Sequence, residues 1–200
     1  MPRLPLSQRP LVFVDVETTS LEPPEAEIIE IAMIRDWPDG RTEVFHYKVT
    51  PQHIETAHPK ALEVNGYTPE TWVGSVPFTE IANTVHEWLT DSVIVGQNPQ
   101  FDLKHIKHAL TMAGVEKIKI GYHAIDTCGL IWEHLCPLGL ESLSLTAALD
   151  FLGWGTEGAH TALVDTQNCR KLYELLLRAE PGERDLWRSD FKRREAQKDA

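Results

Sequence analysis

Residues 11–21 read Leu-Val-Phe-Val-Asp-Val-Glu-Thr-Thr-Ser-Leu, an apolar and largely β-branched run that ends in two acidic residues. Such a run predicts a buried strand. Because side chains at positions i and i+2 of a strand point to the same face, Asp15 and Glu17 project together, and the alternating valines take the opposite face. Two neighbouring carboxylates at the end of a core strand repel each other and resist desolvation. A divalent cation between them, Mg²⁺ or Mn²⁺, would stabilise the pair.

The spacing of these two acids is by itself a weak motif. A chain with 30 acidic residues among 200 contains about four or five acid-x-acid pairs by chance. The pairs at 25/27 and 183/185 have the same spacing in polar surroundings, which is typical of solvated side chains. The apolar strand before Asp15 and Glu17 distinguishes them. From this stretch alone, a metal site and a solvated pair both remain open.

The length of 200 residues fits one domain and is short for two. We predict that residues 1–182 form this domain and that 183–200 form a polar tail, in which the spacing of Trp187 and Phe191 favours docking on the domain. No apolar run reaches the length of a membrane span, and the N-terminus lacks the apolar region of a secretory signal. Three cysteines without metal-ligand or redox spacing indicate reduced thiols and a cytoplasmic location.

The net charge is −11, with an isoelectric point near 5.2. This charge argues against a protein that coats duplex nucleic acid by neutralising phosphates. It does not exclude an enzyme that acts on a nucleic-acid end, because bound Mg²⁺ reverses the local sign of the charge. Such an enzyme would hold its substrate through a small site or depend on a partner for affinity.

The rest of the chain alternates predicted strands and helices. Apolar runs at 28–35 and 41–49, separated by the turn signal Trp37-Pro38-Asp39-Gly40, predict a three-stranded antiparallel meander at the start. Asn98 is the predicted N-cap of a helix whose first residue is Pro99. Further strands are predicted at 93–96 and 121–126, and helical segments at 59–64, 78–89, 98–113, 127–135, 144–153 and 161–178. This order indicates an α/β or α+β fold with a mixed sheet, and we predict the α/β class.

Two more aspartates lie in the apolar stripes of predicted helices. Asp102 borders the inward stripe of the helix at 98–113, and Asp165 lies within that of the helix at 161–178. Aspartate is unfavourable on a buried face unless it has a partner. Both positions are also near helix N-termini, where the helix dipole favours an acid, so a simple first-turn role remains open for each.

The four acids together predict more than each does alone. Asp15, Glu17, Asp102 and Asp165 all lie at ends of elements that can converge on one edge of a sheet. Two divalent cations would neutralise their four charges, and two-metal sites of this kind catalyse phosphoryl hydrolysis. His160 lies just before Asp165 and follows the glycine-rich segment 153–158. This position makes His160 a candidate general base for the attacking water.

Three segments resemble the motifs of the DEDDh 3′–5′ exonucleases, a family that includes the proofreading epsilon subunit of bacterial DNA polymerase III, ribonuclease T and oligoribonuclease. These segments are residues 15–21, 98–102 and 160–165. Residues 61–68 are similar to the epsilon-type segment that lines the terminal-nucleotide pocket, and 144–153 to the helix before the histidine loop. The resemblance implies a ribonuclease H-like fold, with a five-stranded mixed sheet flanked by helices.

The resemblance also implies the chemistry of the site. The four acids would bind two Mg²⁺ ions, which Mn²⁺ can replace, and His160 would be the base. Leu21 would wedge against the terminal base, and Thr18 would meet the terminal 3′-OH.

Four further residues are implied as neighbours of the substrate. Val64, Asn65 and Phe101 would border the nucleotide pocket, and Asn98 of the second motif is another candidate for substrate binding. Gln97 precedes Asn98 where many relatives have histidine, and Asn65 replaces a histidine of the epsilon subunit. These departures leave the nucleotide preference open.

The activity implied by the resemblance is hydrolysis of single-stranded 3′ ends to nucleoside 5′-monophosphates, with DNA favoured over RNA and a role in proofreading or repair. One alternative is a 3′–5′ exoribonuclease of the ribonuclease T or oligoribonuclease kind. Another is an inactive nucleic-acid-binding scaffold, which the presence of all five chemical residues disfavours. A polymerase or another tethering partner is an expected partner, and a membrane is not.

Overall fold

The structure is a computed structural model that describes residues 4–121, 123–158, 160–178 and 182. Trp187 and Phe191 lie outside the described residues, and the prediction that their segment docks on the domain therefore stays a prediction. Among the helices of the described ranges, none combines the length and the apolar character that crossing a membrane requires.

A five-stranded mixed sheet forms the centre of the fold, as predicted. Its strands are β1 (Leu11–Thr18), β2 (Ile28–Asp36), β3 (Thr42–Lys48), β4 (Val93–Gly96) and β5 (Ala124–Asp126). Across the sheet the order is β3-β2-β1-β4-β5. The first three strands are antiparallel, which confirms the meander, whereas β4 is parallel to β1 and β5 is parallel to β4. The carboxyl ends of β1, β4 and β5 therefore meet at one edge.

The turn between β2 and β3 follows directly from its sequence. The N–H of Trp37 donates to the carbonyl of Arg41 at 2.9 Å, and the N–H of Arg41 donates to Asp39 Oδ1 at 3.1 Å. Gly40 has a φ of +90°, a conformation that residues with a Cβ rarely adopt. The turn fixes the pairing of β2 with β3, in which Ala32 lies opposite His46.

Six α-helices of the described residues surround the sheet. They are α1 (Pro59–Val64), α2 (Phe78–Leu89), α3 (Pro99–Met112), α4 (Thr127–His134), α5 (Leu145–Leu152) and α6 (Ala162–Tyr173). Helix α6 continues into a π-helical turn over Glu174–Arg178, so the predicted last helix has the expected extent but not α geometry throughout. Short 3₁₀ turns lie at Leu6–Gln8, Ile54–Thr56 and Cys136–Leu138.

The ends of α5, α3 and β5 match their predictions to different degrees. Ser144 caps α5 as predicted, because its hydroxyl accepts a hydrogen bond from the N–H of Ala147 at 3.2 Å. Asn98 stands at the N-cap position of α3 and Pro99 is the first residue of the helix, as predicted, but the Asn98 side chain forms no capping hydrogen bond. Its backbone is left-handed (φ +55°, ψ +54°), whereas a capping residue has extended backbone angles that aim its side chain at the free N–H groups. Strand β5 is also shorter than predicted and begins at Ala124.

The core lies on both faces of the sheet. The alternating valines of β1 are buried with Val85 of α2 and Ile106 of α3 on one face. Helix α6 covers the other face, where the rings of Phe13 and Tyr173 meet edge to face with centroids 5.4 Å apart. The acids of β1 alternate with its valines, so they point to the α6 side. The sheet thus presents these acids to the first turn of α6.

Candidate active site

Three of the predicted acids form a compact cluster, which we call the carboxylate triad: Asp15, Glu17 and Asp165. Asp15 and Glu17 project from the end of β1, and Asp165 projects from the first turn of α6. One carboxylate oxygen of each lies within 4.8 Å of those of the other two. All three side chains are half-buried. Hard oxygen donors from two elements at this spacing have the composition of a Mg²⁺ or Mn²⁺ site.

The electrostatics of the triad favour a cation. Burial raises the pKa of Asp15 well above its usual range, and the charges of Asp102 and Glu17 raise it further. Burial, followed by repulsion from Asp165, raises the pKa of Glu17 to about 8. Burial also raises the pKa of Asp165. Since the charges that shift Asp15 and Glu17 all belong to carboxylates, ionising these groups together near neutral pH requires a compensating positive charge.

Asp102 lies beside the triad rather than within it. It is only 2% exposed, in the first turn of α3, and its Oδ1 accepts a hydrogen bond from the N–H of Val16 at 2.9 Å. Burial raises the pKa of Asp102 to about 8, although this hydrogen bond opposes the shift. Because α3 packs on the valine face of the sheet, Asp102 approaches Asp15 from the side opposite to α6.

His160 lies next to the triad, at the surface. Its backbone N–H donates to Asp165 Oδ2 at 3.0 Å, while its side chain is exposed. Its backbone is left-handed, with a φ of +65°. Asp165 therefore fixes the loop that carries His160 in addition to facing the two acids of β1.

A cleft of about 540 Å³ adjoins the triad and shares Glu17 with it. Five of the six predicted substrate-binding residues line this cleft: Thr18, Leu21, Val64, Asn65 and Phe101. The Leu21 side chain is 75% exposed at the cleft, so a group bound there can contact it. The volume and the mostly apolar wall suit a flat, stackable group such as a nucleobase.

The polar groups of the cleft wall are already positioned by one another. Asn65 is buried, and its Nδ2 donates to the carbonyl of Thr18 at 3.0 Å, which ties α1 to the end of β1. The hydroxyl of Thr18 donates to the carbonyl of Ser20 at 2.7 Å. Thr18 thus keeps oxygen lone pairs, and no free hydroxyl hydrogen, toward the cleft.

The structure separates Asn98 from the other predicted binding residues. Asn98 does not line the cleft, and its backbone N–H donates to Asp126 Oδ1 at 3.0 Å. Its place at the start of α3 joins the ends of β4 and β5, which positions the turn that carries Asp102.

Two residues at the site were not predicted from the sequence. Glu30 of β2 is 2% exposed and lies directly opposite Glu17 in the pairing of β1 with β2. The sequence signal was present, since Glu30 interrupts the apolar run of β2. Lys104 donates from Nζ to the carbonyl of Leu21 at 3.2 Å and pairs with Glu22 at 2.8 Å. No pattern in the sequence connects Lys104 with Leu21.

The site has counterparts in known proteins. A family model described as exonuclease and named for ribonuclease T matches residues 12–173, which includes the triad, Asp102 and His160. The chain belongs to this exonuclease family. The prediction of a nuclease of the DEDD superfamily, and of its ribonuclease H-like fold, is confirmed.

Relatives of this exonuclease domain occur in replication proteins. The chain is 30% identical over 156 residues to the PolC-type DNA polymerase III of Thermotoga maritima, covering 78% of this chain and 11% of that protein. It is 26% identical over 164 residues to the DNA polymerase III epsilon subunit of Treponema pallidum, covering 82% and 74%. The chain thus spans about a tenth of the PolC-type relative and about three quarters of the epsilon subunit.

The fold is similar to solved exonuclease structures. Exonuclease I of Escherichia coli, in complex with a dT13 oligonucleotide, superimposes with a TM-score of 0.66 at 18% identity, over 84% of this chain and 42% of that one. At this identity the similarity shows the shared fold. Exonucleases of this family depend on divalent metal ions, and the carboxylate triad fits such an ion.

Proposed function

We propose that this protein is a metal-dependent 3′–5′ exonuclease that removes nucleoside 5′-monophosphates from single-stranded DNA ends. The observation that carries the proposal is the junction of the carboxylate triad with the nucleotide-sized cleft through Glu17. A nucleotide held in the cleft would place the phosphodiester on its 5′ side beside the triad. This arrangement suits stepwise removal of terminal residues rather than internal cleavage.

The residues present fit two divalent cations, Mg²⁺ or Mn²⁺. Asp15, Glu17 and Asp165 would hold one ion, and Asp15 with Asp102 the other. When bound, such ions lower the pKa of the attacking water and stabilise the departing 3′-oxygen. The raised pKa values of Asp15, Glu17 and Asp102 support this assignment, because a cation would allow all of them to ionise.

His160 would take the proton of the attacking water. Its exposed imidazole lies on the loop that Asp165 anchors through the backbone N–H, so the base and a metal ligand are coupled through one hydrogen bond. A base positioned in this way contributes typically about 10²–10⁴-fold to the rate. The preceding glycines at 153, 155 and 158 all have positive φ values, a backbone region that residues with a Cβ rarely adopt.

The cleft would hold the terminal nucleotide by stacking. Leu21 and Phe101 would contact the base, and Lys104 would hold the Leu21 segment in place through its bond to the Leu21 carbonyl. Stacking of this kind tolerates every base, which suits an enzyme that degrades strands of any sequence.

DNA is the favoured substrate. Replication proteins are among the relatives, and exonuclease I was crystallised with a DNA oligonucleotide. The exoribonuclease alternative rests on Thr18 in the cleft wall, whose oxygens could accept a hydrogen bond from a 2′-OH. The presence of all five chemical residues at one site supports an active enzyme over an inactive scaffold.

The experiment that tests the substrate and the product uses DNA and RNA oligomers of one sequence, each with Mg²⁺, Mn²⁺ or EDTA. Chromatography with mass spectrometry should identify nucleoside 5′-monophosphates from DNA, formed faster than from RNA and absent with EDTA. Faster release from RNA would establish the exoribonuclease alternative. Release of 3′-monophosphates, or release in EDTA, would contradict the mechanism.

We infer that the enzyme acts on short ends or depends on a tethering partner such as a polymerase. The net charge of −11 gives little general attraction for a long polyanion, and the epsilon relative is a polymerase subunit. A trap of excess unlabelled DNA, added after the enzyme has bound a labelled 30-mer, should therefore stop digestion within a few nucleotides. Digestion of the whole strand in the presence of the trap would contradict this inference.

A further inference from the structure

A fifth carboxylate, that of Glu30, lies next to the triad. Glu30 belongs to β2 and is 2% exposed. It is the direct partner of Glu17 in the pairing of β1 with β2, and residues that face each other in a sheet point to the same side. Glu30 therefore faces the same side of the sheet as the triad carboxylates of β1. Glu30 is not a member of the carboxylate triad, whose oxygens lie within 4.8 Å of one another.

The two oxygens of Glu30 have different surroundings. Oε1 lies 2.6 Å from His46 Nε2 of β3, which fixes the orientation of the carboxylate. Oε2 is buried and has no hydrogen-bond partner among the described residues. The His46 side chain is 33% exposed and contacts only Oε1 of Glu30. Oε2 is left as a free hydrogen-bond acceptor.

A free acceptor on a buried carboxylate is costly. Leaving a buried polar group unpaired costs about 1–3 kcal/mol, and more when the group is charged. The cost is greater here because Glu17, the partner of Glu30 on β1, is also an acid, while Lys48, its partner on β3, donates to the carbonyl of Thr71 instead. An apolar residue at this position would avoid the cost. A hydrated cation in the triad would remove the cost, because it supplies both positive charge and hydrogen-bond donors.

We propose that Glu30 is a positioning residue of the metal centre: its free Oε2 accepts a hydrogen bond from the hydration shell of the cation held by Asp15, Glu17 and Asp165. His46 holds the Glu30 carboxylate in the orientation that this contact needs. The proposal rests on the proposed metal-dependent function. It assigns to β2 a part in binding the ion, in addition to the ligands on β1 and α6.

A purely structural role makes a different prediction. If Glu30 served only to pair with His46 and join β2 to β3, its replacement would lower the stability of the sheet and leave the affinity for the metal unchanged. Groups that orient the ligands of a metal from outside typically contribute about 10- to 100-fold to metal affinity. Metal affinity measured without nucleic acid therefore separates the two roles.

The test is calorimetric titration of the full chain with Mn²⁺, in the absence of nucleic acid. Glu30→Gln should bind Mn²⁺ about 10- to 100-fold more weakly than the unmodified protein. Glu43→Gln is the matched control, because Glu43 lies on β3 of the same sheet and pairs with Arg35 instead of facing the triad. It removes the same charge and should bind Mn²⁺ with unchanged affinity.

The outcomes distinguish this inference from the proposed function. If the unmodified protein bound no Mn²⁺, or if Asp15→Asn bound it equally well, the metal-dependent function itself would fail. If the unmodified protein bound Mn²⁺, Asp15→Asn did not, and Glu30→Gln matched the unmodified protein, only the role of Glu30 would be overturned. If Glu30→Gln does not fold, Glu30→Asp is measured instead. This variant keeps the charge but withdraws the oxygen by one methylene, so it should still weaken Mn²⁺ binding at least fivefold.

Discussion

The carboxylate of Asp102 accepts a hydrogen bond from the backbone N–H of Val16 at 2.9 Å. Val16 is the residue between Asp15 and Glu17, so this bond ties the first turn of α3 to the part of β1 that carries the two acids. Asp102 is therefore both a candidate metal ligand and a support of the strand end. Its two contributions can be separated by substitution.

Replacing Asp102 by asparagine and by alanine should give different results. Asp102→Asn keeps an oxygen that accepts from Val16, so the protein should be at least as stable as the unmodified one and should lose its exonuclease activity. Asp102→Ala leaves a buried N–H without a partner and should lower the free energy of unfolding by about 1–3 kcal/mol. Urea unfolding with EDTA present measures the free energy of unfolding of each variant. Equal stability of the two variants would show that the bond to Val16 contributes nothing.

The stability of the metal-free protein should fall as the pH rises from about 5 to about 8. Glu17, with an ordinary pKa of 4.5, and Asp102, with an ordinary pKa of 3.8, both have a pKa of about 8 in the folded protein. Between these values the folded state binds more protons than the unfolded state, so unfolding becomes easier as protons are lost. Thermal unfolding in EDTA across this pH range should show a decreasing Tm.

Added Mn²⁺ should reverse that trend, because it compensates the charges that destabilise the folded state. The increase in Tm on adding Mn²⁺ should be larger at pH 8 than at pH 5. Asp15→Asn serves as the comparison: without metal it should be more stable than the unmodified protein at pH 8, and Mn²⁺ should raise its Tm little. A metal-free Tm that rises between pH 5 and 8 would contradict the electrostatic description of the site.

Leu21→Ala should weaken substrate binding more than it slows the chemistry. The side chain is 75% exposed at the cleft, so its removal costs the fold little and costs the complex its contact with the terminal base. We expect KM for a short DNA oligomer to rise about tenfold, which corresponds to about 1.4 kcal/mol, with kcat nearly unchanged. Leu6→Ala is a matched control, because Leu6 is 70% exposed and does not line the cleft. An equal KM for both variants would remove Leu21 from the binding site.

His160→Asn should lower kcat by about 10²–10⁴-fold while leaving Mn²⁺ affinity unchanged. Asparagine tolerates the left-handed backbone that residue 160 adopts, so the hydrogen bond from its N–H to Asp165 should survive. His53→Asn, at another exposed histidine, provides the control and should keep full activity. Loss of Mn²⁺ binding in His160→Asn would indicate a structural or ligand role instead of that of a base.

Much of the fold could be predicted because single residues determine it locally. The alternation of β1 separates its valines from its acids, and the turn residues at 37–40 fix the meander. Ser144 and Gly153 mark the two ends of α5 through short-range contacts. Both kinds of signal depend on neighbours within a few positions in the chain, and a sequence displays those directly.

The parts of the site that were missed depend on pairing between distant segments. Glu30 becomes significant only through the register that places it opposite Glu17, and Lys104 only through its contact with Leu21, which lies far away in the chain. Asn98 shows the converse. Its residue type and its place before Pro99 predicted the N-cap position, but its backbone is left-handed, its N–H donates to Asp126 Oδ1, and its side chain forms no capping bond.

The most direct test of the central claim follows the shortening of a single-stranded DNA oligomer labelled at its 5′ end. With Mg²⁺, the unmodified protein should produce a ladder of labelled products that shorten from the 3′ end, and EDTA should stop the reaction. Asp15→Asn, shown by circular dichroism to be folded, should produce no ladder under the same conditions. A ladder of undiminished rate from Asp15→Asn, or immediate release of the labelled 5′ nucleotide by the unmodified protein, would contradict the assignment of the carboxylate triad as the centre of a 3′–5′ exonuclease.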